Sequence, residues 1–184
     1  MSNLSDFVFQ PVDFGNVTFR NPLYIASGPT TRTIKQVMRA EECGWGGVSL
    51  KLSIAPEPYI NREPRYGWFE DQGIFAFTAE KRLLPEQCLE LIQQSRKQTS
   101  DLAIMANITY AGDEDIHTGW GGFARQCEEA GAHIIELNMC CPNMSYNVEL
   151  SNKDNITGPK TGASLGQDAE AVGNITRAVK ESVS

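Results

Sequence analysis

The chain has 184 residues, of which 41% are hydrophobic, and carries 23 acidic against 16 basic side chains for a net charge of -7. That is enough apolar content for one compact domain over residues 1–184 and rules out a disordered chain, while the acidic balance disfavours nucleic acid as a partner. No run reaches the roughly 18 apolar residues of a membrane span, and residues 1–10 lack the basic head and apolar core of a signal peptide.

Five cysteines, Cys43, Cys88, Cys127, Cys140 and Cys141, are scattered without zinc-ribbon or knuckle spacing. They predict reduced thiols in a cytoplasmic protein, with no disulfide scaffold and no metal site.

Residues Phe7 to Phe19 alternate apolar and polar about Gly15-Asn16, which predicts a β-hairpin plugging one end of a larger body. Leu23 to Ala26 is a short apolar strand, and Ser27-Gly28-Pro29-Thr30 after it is a loop of small residues that lets a ligand approach the backbone. Ile34, Val37 and Met38 recur at helical spacing before Gly44, so Thr33 to Cys43 is a helix. Gly47 to Leu50 is the second strand and delivers Lys51 at its exit.

An aromatic and proline-rich excursion over residues 54–77 then interrupts the alternation and is longer than an ordinary connection. Pro85, Cys88, Leu89 and Ile92 mark the second helix, and Leu102 to Asn107 the third strand. Ile116, Trp120, Phe123, Ala124 and Cys127 form a third helical face, despite glycines at 119, 121 and 122 that each cost about 1 kcal/mol relative to alanine. His133 to Leu137 is the fourth strand, and Val172, Ile175, Thr176 and Val179 the fourth helix.

A hairpin followed by four βα units, with uniformly apolar strands, calls for parallel strands covered by helices. The expected fold is α/β: the N-terminal half of a TIM barrel, which normally takes roughly 250 residues when complete. In such barrels the chemistry sits at the C-terminal strand ends. Here the fourth strand runs into Asn138-Met139-Cys140-Cys141-Pro142-Asn143, an amide, two thiols and a turn-forming proline.

These residues resemble the dihydroorotate dehydrogenase and dihydropyrimidine dehydrogenase flavoproteins, most closely the FMN barrel domain of the latter. The resemblance runs from Asn21 to about Val179. It rests on an ordered set of motifs: Asn21-Pro22-Leu23, Ala26 to Thr31, Gly44-Trp45-Gly46, Lys51, Asn61 to Arg65, Glu136-Leu137-Asn138, Cys141-Pro142 and Gly166-Gln167-Asp168.

The resemblance implies an FMN-dependent oxidoreductase acting on a C–C bond beside a carbonyl. Ala26, Ser27 and Lys51 are then flavin contacts, as is Asn107, which matches an amide of some dihydroorotate enzymes. Cys141 is the proton-transferring residue, and Asn138, Met139 and Cys140 line the substrate. The chemistry calls for such a group, because hydride moves between a flavin and one carbon while the neighbouring carbon gains or loses a proton. By the same resemblance electrons pass to or from a separate iron–sulfur or NAD(P)H-linked module, and the complete protein is an oligomer acting on a pyrimidine-like ring.

Two departures stand out. Gly73-Ile74-Phe75-Ala76-Phe77 replaces the substrate-binding Asn-Ile-Glu of the dihydropyrimidine enzymes, and a polar stretch from Asn143 to Leu165 replaces a glycine-rich segment. The fifth-strand lysine and the late phosphate loops have no counterpart, so this chain alone is expected to hold FMN weakly. Two alternatives remain at this point. One is a tRNA-dihydrouridine synthase, whose barrel carries a similar Asn-x-x-Cys-Pro stretch; the other is a non-catalytic half barrel that needs a partner.

Cys43, Cys88 and Cys127 are read as helix-packing residues. His117 is read as solvent-facing and His133 as the start of a strand, neither of them a ligand.

Overall fold

The computed structural model describes residues 9–56, 66–77, 82–140 and 162–184. The chain opens with a hairpin, β1 (Val12–Phe14) and β2 (Val17–Phe19), paired antiparallel about Gly15 at φ 58. The βα alternation follows: β3 (Tyr24–Ile25), α1 (Ile34–Glu42), β4 (Gly47–Ser49) and β5 (Ser53–Ala55). A second hairpin, β6 (Tyr66–Phe69) and β7 (Ile74–Phe77), precedes α2 (Pro85–Gln98) and β8 (Ala103–Tyr110). A π-turn over His117–Gly121 runs into α3 (Gly122–Glu129), then β9 (Ile134–Leu137), α4 (Gly162–Gly166) and α5 (Ala169–Ser182).

The main sheet is wholly parallel, with β3 beside β4, β4 and β5 beside β8, and β8 beside β9. Met105 partners both Ser49 and Ile134, and Ile108 partners both Ser53 and Leu137, so β4 and β5 lie along one edge of β8 and β9 along the other. Spatial order therefore follows chain order, the arrangement of a barrel wall rather than of a doubly wound sheet. This is the expected TIM-barrel half.

The wall has two faces of different chemistry. Val48, Leu50, Ile104, Ala106 and Ile108 pack outward against Val37, Ile92, Phe123, Ala124 and Ile175 of the helices. The alternate residues face inward, where Ala103 and Met105 meet the plug residue Phe19, with Val17 and Ile134 against them. The hairpin closes the N-terminal end as its pattern predicts. The Phe19 ring occupies room left by Gly47, at which a Cβ would lie 2.7 Å from Phe19 Cε1.

Two strands run further than their sequences suggest. The expected third strand ended at Asn107, but Ile108, Thr109 and Tyr110 continue β8 by pairing with β5. The second strand resumes beyond Lys51 as the buried Ser53–Ala55, so the excursion leaves at Pro56 instead of Ile54. It returns to where it left: Leu83 N donates to Leu52 O at 3.0 Å, and Ser53 Oγ donates to Leu83 O at 3.1 Å.

Two of the three glycines that cost helix propensity near 120, Gly119 and Gly121, are packing requirements, whereas a Cβ at Gly122 would meet nothing within 4 Å. A Cβ at Gly119 would stand 2.3 Å from the Tyr110 ring, and one at Gly121 would stand 2.3 Å from Ser182 Oγ. Gly46 is tighter still, since its Cβ would meet the backbone oxygen of Asn21 at 2.1 Å. Asn21 is itself fixed, its Nδ2 donating to Gly44 O at 2.8 Å. Gly46→Ala is therefore expected to destabilise the fold by about 1–3 kcal/mol through backbone displacement. A urea midpoint equal to the parent's would contradict that packing.

His133 opens β9 as expected, and its ring has a structural task. Nδ1 accepts from Ile104 N at 2.9 Å, which requires the neutral imidazole, and the Arg96 guanidinium lies beside Nε2. Burial, and then the Arg96 charge, push the His133 pKa below its ordinary 6.5. The unfolded chain thus takes up this proton first as pH falls, so stability is full above about 6.5 and declines below it. Urea unfolding at pH 7.5 and 5.5 is expected to show this loss, and His133→Gln to flatten it; an unchanged slope in the variant would remove the assignment.

Cys88 and Cys127 are buried between α2 and α3, as expected of packing residues. Cys43 is exposed after the end of α1, which corrects its reading as a packing residue: it follows the last helical turn and no longer faces the sheet.

Candidate active site

The C-terminal ends of β3, β4, β8 and β9 converge on the residues singled out by sequence. Ala26, exposed, and Ser27, half-buried, follow β3. Their loop is shaped by Thr31, which is buried and whose Oγ1 accepts from Gly28 N at 3.2 Å. Lys51 does not sit at a simple strand exit. From Ser49↔Met105 to Ser53↔Ile108 the chain takes four steps on one strand and three on the other. This is a β-bulge, the device by which a strand re-aims a residue.

At the bulge Leu50 N still donates to Met105 O at 2.9 Å, whereas Lys51 N leaves the ladder and donates to Thr31 O at 2.9 Å. The lysine and the small-residue loop after β3 are thereby tied into one unit. Sequence reading missed the bulge because Leu50-Lys51-Leu52 shows an apolar, polar, apolar alternation that an unbroken strand would also give.

Across the wall, Asn107 and Asn138 form an amide pair. Asn107 lies mid-strand, 2% exposed, and Asn138 immediately follows β9. Asn138 Oδ1 accepts from Cys140 N at 3.1 Å, which fixes the orientation of its amide, and its Nδ2 donates to Asn107 Oδ1 at 3.0 Å. Thr109 Oγ1 donates to Asn138 O at 2.9 Å.

With Oδ1 of Asn107 taken in this way, its Nδ2 points elsewhere, and among the described residues no acceptor meets it. A buried donor without a partner costs about 1–3 kcal/mol. Such a group calls for an acceptor from outside the described residues, such as an ordered water or a ligand.

Met139 is half-buried and packs against Gly166, where a Cβ would come within 2.4 Å of Met139 O. Cys140 is exposed. Cys141, Pro142 and Asn143 lie outside the described residues, as do Asn61 to Arg65 and the Glu80-Lys81 pair.

The Gly73 to Phe77 departure is a turn and strand: Gly73 at φ 63 leads into β7, which pairs with β6. Trp68 and Phe75 lie with ring centroids 6.5 Å apart, tilted at 44°, and both are exposed, at 63% and 55%.

Sequence reading passed over Ser49 and gave Glu136 no role beyond its place in the Glu136-Leu137-Asn138 motif. The Ser49 hydroxyl, fully buried, donates to a carboxylate oxygen of Glu136, joining β4 to β9 across β8. Both stand at inward positions of the two-residue strand period, which was the available signal.

A parallel wall with polar groups gathered at its C-terminal strand ends defines this chain as part of a TIM barrel. Solved folds agree: the chain superposes on histamine dehydrogenase from Rhizobium sp. 4-9 with TM-score 0.59 at 16% identity, covering 99% of this chain and 33% of that one. An old yellow enzyme homologue from Zymomonas mobilis gives TM-score 0.52 at 13% identity, covering 96% and 60%. At such identities the likeness is one of fold.

Residues 11–173 match the dihydroorotate dehydrogenase family model, and the chain belongs to that family. It is 29% identical over 177 residues to the NAD-dependent dihydropyrimidine dehydrogenase subunit PreA of Escherichia coli (strain K12), covering 92% of this chain. The catalytic subunit of dihydroorotate dehydrogenase B (NAD(+)) from Pyrococcus abyssi (strain GE5 / Orsay) is 31% identical over 152 residues, covering 77% of this chain. The chain spans 38% and 45% of the lengths of these two relatives. Among the described residues no helix is long and apolar enough to cross a membrane, and no group of three or more His, Cys, Asp or Glu is placed to hold a metal.

Proposed function

We propose that this chain forms the N-terminal half of an FMN-binding barrel that oxidises or reduces a C–C bond adjacent to a carbonyl, in the manner of dihydropyrimidine and dihydroorotate dehydrogenases. The observation that carries this reading is the buried Asn107 amide on the inner face of the wall, whose Nδ2 meets no acceptor among the described residues. A flavin ring edge, rich in carbonyl and ring-nitrogen acceptors, fits that donor. When bound, the flavin supplies the hydride-accepting or hydride-donating centre.

The chain's own residues divide the remaining work. Ala26 and Ser27 offer a low-profile loop, and Lys51, tied to it through Thr31, brings a cation suited to the polar edge of the ring. Asn107 holds the cofactor by its free donor. Asn138 orients the backbone at Cys140 by accepting from Cys140 N, and Asn138, Met139 and Cys140 line the substrate. Cys141 transfers the proton to or from the substrate carbon.

The relatives named above are a subunit and a catalytic subunit of NAD-dependent enzymes, which supports an NAD(P)H-linked or iron–sulfur partner for electron delivery. The expected substrate is a small ring bearing a carbonyl.

Titration of the purified protein with FMN, followed by quenching of flavin fluorescence, tests the reading. Saturable binding is expected, weakened at least several-fold by Lys51→Ala. Fluorescence that stays at the free-flavin value throughout would contradict it.

A further inference from the structure

Glu136 is the one charged residue among the described residues lining a pocket of about 430 Å³ on the inner face of the wall, otherwise walled by apolar side chains such as Phe14, Phe19, Tyr24, Met105 and Ile134, with Pro22. The residue is half-buried, and a carboxylate set among apolar side chains needs a polar partner to fix its position. Ser49 is that partner, its hydroxyl donating to one carboxylate oxygen.

The sheet register places this charge with respect to the site. Glu136 and Asn107 are directly paired across β8 and β9, and Asn138, two residues beyond Glu136, bonds to Asn107 on the same inward face. On the other side of β8, Ser49 lies two residues before Lys51. The inner wall thus carries a fixed carboxylate beside the donor assigned to the flavin, opposed by the Lys51 ammonium at the mouth.

We propose that Glu136, positioned by Ser49, is an electrostatic tuning residue that lowers the reduction potential of the bound flavin and offsets the opposite influence of Lys51. This rests on the flavin reading above. Reduction adds negative charge to the ring, and a nearby carboxylate disfavours the reduced form relative to the oxidised one.

The test is the midpoint potential of the FMN-saturated protein, measured by equilibration with a reference dye. Glu136→Gln removes the charge while keeping the shape. It is expected to favour reduced over oxidised flavin by about tenfold, which is about 30 mV upward for a two-electron couple. Glu136→Asp keeps the charge and is expected to stay within twofold of the parent. Should the Gln variant fail to fold, Glu136→Met is read in its place.

Flavin bound normally with a potential unmoved in the charge-free variant would overturn the inference while leaving the flavin reading intact. Equal shifts in the Asp and Gln variants would show a role in shape only, and would overturn it too. A parent protein that binds no FMN would remove both.

Discussion

Cys141→Ala is expected to lower turnover of the flavin-loaded enzyme by about 10²- to 10⁴-fold while leaving flavin binding unchanged, the usual contribution of a positioned proton-transfer group. Without the thiol the hydride step leaves the neighbouring carbon with no group to give or take its proton. The adjacent thiol is the internal control. Cys140 N–H is consumed in holding the turn through Asn138 Oδ1, and the Cys140 side chain is exposed. Cys140→Ala keeps that backbone bond and is expected to retain most of the activity. Steady-state assays of the two variants decide the matter: loss in Cys140→Ala with activity retained in Cys141→Ala would exchange their roles.

The second large effect is expected at Asn107. Replacing it with leucine, close in volume, removes the acceptor of the Asn138 amide and the Nδ2 donor together. Losing the bond from Asn107 Nδ2 to the flavin should cost about 1–3 kcal/mol of binding. This corresponds to a rise of roughly one to two orders of magnitude in the Kd for FMN. Thr109→Val, which removes only the bond to the Asn138 carbonyl, is expected to cost less. Equal FMN affinity in Asn107→Leu and the parent, by fluorescence titration, would detach Asn107 from the cofactor.

The fold was legible because its signals are local. The alternation about Gly15, the helical spacing of Ile34, Val37 and Met38, and the apolar runs at 47–50 and 133–137 each report the period of their own element. Asn138 was found because it stands where an apolar strand ends in a turn.

What escaped notice depends on register between distant segments. The bulge at Lys51 exists only relative to β8, whose pairing shifts by one residue between Met105 and Ile108. The extension of β8 through Tyr110 depends on a partner, Ser53–Ala55, that reads as the start of a loop when its own neighbours are hidden. The Ser49–Glu136 pair joins residues 87 apart, and no local period brings them together. Gly119 and Gly121 look like helix defects until Tyr110 and Ser182 are seen to fill the space above them.

Asn107 Nδ2, which meets no acceptor among the described residues, is proposed to face a flavin. A crystal structure of the protein grown with saturating FMN is expected to show a flavin acceptor atom about 2.9–3.0 Å from Asn107 Nδ2, with the Asn138 to Asn107 bond preserved. A flavin bound elsewhere, or one that leaves Asn107 Nδ2 unmet, would overturn the assignment.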